Sequence, residues 1–323
     1  MEHKLSNYIN NWLKVIENMN NTNTYKLTWG KAILELVDRS NGNIITFADI
    51  ADLIIKYNWN QMFFFNLRQS PIGQTSIIEQ QVQKLIEKYI QIMNSSIPLW
   101  WDRAFIQIIE HRELLDVYLL IKREVIKVLP RDVAWRFLLI GKEDYLLYCF
   151  DKKSKTVTFT NEQIKELKEY NFVLTELLNF KWAQLLEQFN FAPKIASKVK
   201  NISDTRIRRK NFGKIKLLLL SQMKDNKIID FYTGRELKKD EISFDHVIPW
   251  SFMYSDDIWN LVVTSQSYNS SKSNQVPSQE TIDKLKIRNE QLYQSIDDNN
   301  YKKELQLAIE HNLVDTFYRN MRM

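Results

Sequence analysis

The sequence predicts a mostly helical α+β fold, and three observations lead to this prediction. Apolar side chains recur three and four residues apart along most of the chain, which is the spacing of one buried helix face. Only six glycines and six prolines occur among 323 residues, which favours long elements and short loops over a strand-rich sandwich. Before residue 194 the clearest strand pattern is one short β-hairpin near residues 145–160.

Residues 1–95 are predicted to form an N-terminal helical domain. The helical spacing holds in four segments, at residues 6–20, 27–37, 47–57 and 76–93. Thr46 can cap the third segment through its hydroxyl, and Asp49 places a carboxylate in its first turn.

The helices on either side of Asn41-Gly42 have two interpretations. They could form a helix-turn-helix-like module that docks on DNA, or they could serve packing or binding of a partner. The third helix carries Asp49 and Asp52 beside one base, Lys56, so its charge favours the packing interpretation.

Residues 96–193 are predicted to be a helical middle region that contains the hairpin. Helical spacing recurs in three segments, at residues 98–129, 161–167 and 172–189. Residues 145–150 and 156–160 carry β-branched and aromatic side chains on either side of a polar turn, which is typical of a β-hairpin. The apolar residues 133–140 fit either a strand or a helix.

A short stretch near the C-terminal end gathers chemically active groups. Asp245 is a hard oxygen ligand suited to Mg²⁺ or Mn²⁺, and Asn269 offers a second oxygen through its amide. His246 has a side chain that can take a proton from water near neutrality. Neighbours on a flat strand point to opposite faces, so a bend at this pair is needed, and Pro249 fits a strand that ends soon afterwards.

Residues 228–278 resemble the catalytic module of HNH endonucleases, the ββα-metal nucleases. The module is most similar to the HNH domain of RNA-guided CRISPR effector nucleases, and the resemblance does not extend to their guide-binding lobes. It rests on these motifs: Tyr232-Thr-Gly, Asp245-His-Val-Ile-Pro, Asn260 and Asn269-Ser-Ser-Lys-Ser-Asn-Gln-Val-Pro. The resemblance implies a ββα fold in which Asp-His lies on the second strand of a hairpin.

The resemblance also implies a role for each of these residues. Asp245 and Asn269 would bind Mg²⁺ (or Mn²⁺), and His246 would be the general base. Asn260 would tie the following loop to the hairpin and hold His246, and Lys272 would contact phosphate. These roles suit phosphodiester hydrolysis, which needs an activated water and a cation near the oxygens on which charge develops.

Two further features of the chain bear on this resemblance. Many HNH modules carry Cys-x-x-Cys pairs that bind zinc, whereas this chain has the single cysteine Cys149, so no structural zinc is expected. Residues 194–227 are predicted to be a basic connector helix that leads into the module. Seven of its bases are candidate nucleic-acid contacts: Lys198, Lys200, Arg206, Arg208, Arg209, Lys210 and Lys214.

The resemblance therefore predicts a metal-dependent HNH endonuclease that acts on DNA, double-stranded in the first place, in restriction or anti-phage defence. A net charge of +6 agrees with a polyanionic partner. The alternatives are a nucleic-acid-binding or scaffold protein with an inactive HNH fold, and an RNase, because nothing in the sequence reads a 2′-hydroxyl. The alternative to nucleic-acid binding by the basic connector is that its lysines and arginines form only a solvated basic face.

The remaining expectations concern the surroundings of the module. Two helices within residues 279–323, at residues 279–296 and 301–320, are expected to brace it. The N-terminal helical domain is expected to bind a protein partner or to form a homodimer. One cysteine and the lack of an apolar N-terminal run predict a cytoplasmic protein with no membrane partner.

Overall fold

A computed structural model describes residues 5–40, 42–190, 192, 194–200, 213–221, 227–272 and 275–322. The chain divides into two compact units, residues 1–190 and residues 191–323, and each has its own hydrophobic core. Helices predominate and the sheets have two or three strands, which confirms the predicted mostly helical α+β class. The finer division into five regions stays a prediction. No helix among the described residues is both long enough and apolar enough to cross a membrane.

The first unit is a helical body with small sheets. Its elements in chain order are α1 (Asn7–Asn18), α2 (Tyr25–Arg39), β1 (Ile44–Thr46), α3 (Phe47–Trp59), α4 (Ile77–Met93), α5 (Trp101–Glu110), α6 (Arg112–Val128), β2 (Leu139–Ile140), β3 (Glu143–Asp144), β4 (Cys149–Asp151), β5 (Thr156–Thr158), α7 (Asn161–Glu169) and α8 (Asn171–Phe189). Hydroxyl caps start four of these helices, because Ser6, Thr46, Ser76 and Thr160 each accept a backbone N–H of the first turn. The predicted cap at Thr46 is thereby confirmed.

The predicted hairpin is present, and it has a third strand that the sequence did not indicate. β4 and β5 pair antiparallel, and β1 pairs with the other edge of β5, with Ile45 opposite Val157. Residues 133–140 form neither a long strand nor an α-helix. They pass from a π-helical turn through a 3₁₀ turn into the two-residue strand β2.

Helix α3 is a core helix. Phe47, Ile50, Ile54 and Trp59 are fully buried, and most of its remaining positions are buried as well. A helix covered in this way cannot enter a DNA groove without unfolding its surroundings, so the packing interpretation is the one that agrees with the structure.

The second unit contains the remaining elements. They are α9 (Ile195–Lys200), α10 (Gly213–Leu220), β6 (Ile228–Ile229), β7 (Glu236–Leu237), β8 (Ile242–His246), α11 (Trp250–Met253), β9 (Leu261–Ser265), α12 (Gln266–Lys272), α13 (Gln279–Ser295), α14 (Asn299–Glu310) and α15 (Leu313–Arg322). The predicted second C-terminal helix is thus two helices, because Asn312 adopts a left-handed conformation (φ 50°) between α14 and α15.

Helices α13 to α15 surround one buried tryptophan. Trp259 is 1% exposed, and its ring stacks on Phe317 of α15 with centroids 5.7 Å apart. The carbonyl of Trp259 accepts a hydrogen bond of 2.9 Å from Asn289 Nδ2 of α13. The C-terminal helices therefore brace the segment between β8 and β9, as predicted.

Candidate active site

Strands β8 and β9 and helix α12 form the ββα unit that carries the motif residues. β8 pairs antiparallel with β9, with Asp245 opposite Val262 and His246 opposite Leu261. The expectation that Asp-His lies on the second strand of a hairpin is wrong, because the preceding strands β6 and β7 pair with each other and not with β8. β9 has five residues, of which four are buried, whereas β7 has only two residues. β8 can therefore form more backbone hydrogen bonds with β9 than with β7.

The bend that was expected at the Asp-His pair is absent there and comes directly after the pair. His246 is the last residue of the β8–β9 ladder, the chain bends at Val247 and Ile248, and Pro249 precedes α11. Asp245 and His246 therefore keep the alternation of a strand and contact different neighbours.

Asp245 is buried between a tyrosine and a lysine. Lys272 Nζ of α12 lies 2.9 Å from Asp245 Oδ2 and donates a 2.8 Å hydrogen bond to the carbonyl oxygen of His246. The hydroxyl of Tyr232 donates to the same Oδ2 atom. Burial and the Asp245 carboxylate raise the pKa of Tyr232 far above its usual value, which keeps this hydroxyl protonated as a donor. In the described residues no donor reaches Asp245 Oδ1.

His246 contacts a second aspartate, Asp256, that the sequence reasoning did not single out. Its Nε2 atom lies 3.0 Å from Asp256 Oδ1, and the two side chains are only 7% and 9% exposed. The only signal for this contact in the sequence is the presence of Asp256-Asp257 in the loop before Asn260.

Asn260 joins the two ends of the loop that follows His246. Its Oδ1 accepts from the backbone N–H of Ile248, its Nδ2 donates to the carbonyl of Ile248, and both distances are 2.8 Å. The backbone carbonyl of Asn260 also accepts from Val247 N at 2.9 Å. Asn260 is 1% exposed, so these bonds are shielded from water.

Asn269 lies on α12 against the strand that carries Asp245. Its Nδ2 atom donates to Ser243 Oγ at 2.9 Å and to the Phe244 carbonyl at 3.2 Å. Both bonds use the nitrogen, and no donor within the part of the chain that the structure describes reaches Asn269 Oδ1.

The oxygen donors of this site suit a hard divalent cation. Asp245 Oδ1 and Asn269 Oδ1 are carboxylate and amide oxygens of the kind that Mg²⁺ and Mn²⁺ prefer. Among the described residues no cluster of three or more His, Cys, Asp or Glu could hold a metal ion. An ion at this site would therefore complete its coordination with water or phosphate oxygens, which is usual for Mg²⁺.

Asp230 organises the turn before the site, and the sequence reasoning did not assign it a role. Its carboxylate accepts from the backbone N–H groups of Tyr232, Thr233 and Ser265 and from the hydroxyl of Thr264, at 2.9–3.0 Å. Burial opposes the charge of Asp230, yet these four hydrogen bonds outweigh it and lower the pKa of the carboxyl. The signal that could have found it is an aspartate just before Tyr-Thr-Gly, which is typical of an Asx turn.

Only part of the predicted basic surface lies within the described residues. Arg206, Arg208, Arg209 and Lys210 lie outside them, and Lys200 ends α9 without a described side chain. Lys198 Nζ donates to the Phe252 carbonyl at 2.6 Å and lies 5.6 Å from the centre of the Phe252 ring. Lys214 forms an ion pair of 2.6 Å with Asp298, which raises the pKa of this lysine.

A cavity of about 420 Å³ in the second unit lies apart from this chemistry. It is lined mainly by apolar side chains such as Ile228, Val262 and Ile287, and it includes Asp230. None of Asp245, His246 and Asn269 lines this cavity.

Comparison with known proteins identifies the segment that contains the site. Residues 230–278 match the family described as HNH endonuclease. The CRISPR-associated endonuclease Cas9 of Listeria innocua serovar 6a is 41% identical over 68 residues, which are 20% of this chain and 5% of that protein. The CRISPR-associated endonuclease Cas9 of Streptococcus mutans serotype c is 43% identical over 60 residues, 18% and 4% of the two chains. No solved structure matches the chain significantly.

The second unit thus carries an HNH endonuclease module that resembles the HNH region of Cas9, as the sequence motifs predicted. This similarity supports nuclease activity in general and a nucleic acid as the substrate. HNH endonucleases generally depend on a divalent metal ion. The matched segments cover only a small fraction of the relatives and about a fifth of this chain.

Proposed function

We propose that the second unit is a metal-dependent DNA endonuclease in which His246 is the general base. The observation that carries this proposal is that one ββα unit brings together a buried histidine, the oxygen donors of Asp245 and Asn269, and the loop-fastening residue Asn260. This set supplies both a proton acceptor and a cation site, which phosphodiester hydrolysis requires.

Asp245 and Asn269 would hold the ion through their Oδ1 atoms. A bound Mg²⁺ or Mn²⁺ would supply positive charge to the phosphate and leaving-group oxygens as negative charge builds up on them. Lys272 and Tyr232 both bind Oδ2 of Asp245, so they fix the rotation of this carboxylate and leave Oδ1 for the ion. Tyr232 stays neutral in this arrangement and adds no competing negative charge.

His246 takes the proton of the attacking water at the ring nitrogen that Asp256 does not occupy. Asn260 positions this histidine indirectly, because it fastens Ile248, two residues later, by two hydrogen bonds.

Lys272 was predicted to contact phosphate. The Lys272 side chain is 7% exposed and its ammonium group is paired with Asp245, so a phosphate contact requires a rearrangement of this lysine when DNA binds.

The substrate that we propose is DNA, double-stranded in the first place. The HNH motif supports DNA over RNA, because HNH folds act mostly on DNA. The similarity to CRISPR-associated endonucleases supports our placing the enzyme in restriction or anti-phage defence. The cations of the basic connector would hold the phosphates of the duplex, and a protein partner or homodimer would use the first unit.

The proposed activity is tested by incubating the purified chain with supercoiled plasmid and Mg²⁺, Mn²⁺ or EDTA. We expect metal-dependent nicking that disappears in His246→Ala and persists in His311→Ala, because His311 lies at the C-terminal end of α14, outside the site. Cleavage of RNA but not of DNA would support the RNase alternative. No cleavage of plasmid, single-stranded DNA or RNA with either metal would overturn the proposal in favour of an inactive HNH fold.

A further inference from the structure

One ring nitrogen of His246 contacts the carboxylate of Asp256. Nε2 lies 3.0 Å from Asp256 Oδ1, and the two side chains are more than nine-tenths buried. An ionised carboxylate can only accept hydrogen bonds, so Nε2 must be the donor in this contact. In the neutral ring the proton is then on Nε2, and Nδ1 carries the lone pair.

The loop is built so that Asp256 and not its neighbour faces the histidine. Asp257 Oδ2 accepts a 2.6 Å hydrogen bond from Ser255 Oγ, and Asp257 begins the 3₁₀ turn Ile258–Asn260. Tyr254 adopts a left-handed conformation (φ 55°) directly after α11, which ends this helix at the start of the loop. Asn260 then fastens the far end of the loop to Ile248, so both ends of the segment that carries Asp256 are fixed.

We propose that Asp256 is a positioning residue that holds the His246 ring in the tautomer with Nε2 protonated and Nδ1 free to accept the proton of water. The inference rests on the proposed function, since it assigns a partner to the same general base. A carboxylate in this place fixes both the orientation of the ring and the nitrogen that acts as the base.

The tautomer itself can be measured without any cleavage. Histidine labelled with ¹⁵N in the full chain gives separate signals for protonated and unprotonated ring nitrogens, and His246→Ala identifies the signals of His246 among the four histidines. We expect protonated Nε2 and unprotonated Nδ1 in the wild type. In Asp256→Asn the amide can donate to Nε2, so the proton should move to Nδ1.

Cleavage of supercoiled plasmid with Mg²⁺ gives the second readout. Asp256→Asn should lower kcat by about 100-fold or more with little change in KM, because the substrate-binding groups are intact. Asp256→Glu should restore part of the loss. Asp257→Asn is the matched control in the same loop, and it should keep both the wild-type tautomer and most of the rate.

Two results would overturn the positioning role. One is a wild-type ring with the proton on Nδ1, and the other is an Asp256→Asn variant with unchanged tautomer and unchanged kcat. Failure of the proposed function looks different. In that case the wild type cleaves nothing, while the ¹⁵N spectra still show whether Asp256 sets the tautomer.

Discussion

Asn260 shows how one residue type in the motif is fixed by geometry. Its amide meets the N–H and the C=O of the same residue, Ile248, and only a side chain with an acceptor and a donor side by side can do this. Aspartate has no donor and leucine has neither group. This pairing explains in physical terms why an asparagine is needed at this distance after Asp-His.

Replacing Asn260 by Ala should loosen the loop after β8. The change leaves two buried backbone groups of Ile248 without partners and should cost about 2–5 kcal/mol in the free energy of unfolding of the second unit. Hydrogen exchange of residues 242–262 should speed up strongly and cleavage should fall. The exposed Asn300→Ala is the control. Equal protection of residues 242–262 in both variants would contradict the fastening role.

Glu304 gives the second unit a dependence on pH. Burial, followed by the nearby charge of Asp257, raises the pKa of this carboxyl from 4.5 to about 7, although Ile258 N donates to it at 2.7 Å. The folded state therefore holds a proton that the unfolded state has already released. Its stabilising contribution is complete below pH 4.5 and is lost as the pH rises through about 7.

Glu304→Gln should remove this pH dependence. At about pH 5 the variant and the wild type should unfold at similar temperatures, and at about pH 8 the variant should be more stable by about 1–3 kcal/mol. Thermal unfolding at the two pH values measures the difference, with the exposed Glu310→Gln as the control. A variant that gains nothing at the higher pH would show that the carboxyl is not perturbed.

At the scale of residues, the sequence motif predicts which residues form the candidate site, but it does not predict the contacts that these residues make. Asp245, His246, Asn260, Asn269 and Lys272 stand at spacings that the motif fixes, and the structure brings them to one ββα unit. The contacts made by Asp256, Asp230 and Tyr232 depend on how loops close in space. One sequence offers several aspartates and tyrosines for such contacts and does not distinguish among them.

At the scale of elements, strand β9 connects the strand that carries the site to the turn between β6 and β7. β8 pairs with β9 along five residues, and the turn between β6 and β7 is attached to β9 through Asp230 and through Phe231 N, which donates to the Val263 carbonyl at 2.9 Å. The sequence analysis expected Asp-His on the second strand of a hairpin, so that its strand would pair with the strand before it. This was wrong because strand length and burial decide pairing, and the sequence pattern did not show that β6 and β7 each have only two residues.

Asp230→Asn should detach the β6–β7 turn from β9. An amide offers one acceptor in place of two carboxylate oxygens, so it cannot satisfy the donors on both sides, and we expect a cost of about 2–4 kcal/mol. The amides of Thr233 and Ser265 should exchange faster with solvent. The exposed Asp240→Asn serves as the control, and unchanged protection of these two amides in Asp230→Asn would contradict the role of the carboxylate.

At the scale of the whole molecule, a helical unit and a unit that carries an HNH module share one chain. The helical content and the hydroxyl caps of the first unit follow from local sequence. The pairing of β1 with β5 does not, since more than a hundred residues separate these strands. The Lys214–Asp298 ion pair likewise joins residues far apart in the chain, and no local pattern indicates it.

The basic connector should govern the salt dependence of DNA binding. Replacing Arg208, Arg209 and Lys210 together by Gln should weaken binding to all duplex sequences and reduce the slope of log K against log salt by about 2–3, because each phosphate that a cation neutralises adds about 0.9 to this slope. Fluorescence anisotropy at several salt concentrations measures the slope. The matched control replaces Lys152, Lys153 and Lys155 in the first unit, and an equally weakened control would refute the assignment.

The role of His246 as the general base of a DNA-cleaving HNH site can be tested by chemical rescue. Single-turnover cleavage of a duplex with Mg²⁺ is measured for the wild type and for His246→Ala, with and without added imidazole. We predict that the variant loses at least about 100-fold in rate and that imidazole restores part of it, because a free base can replace the missing one. Cleavage by His246→Ala at the wild-type rate would show that His246 is not the general base.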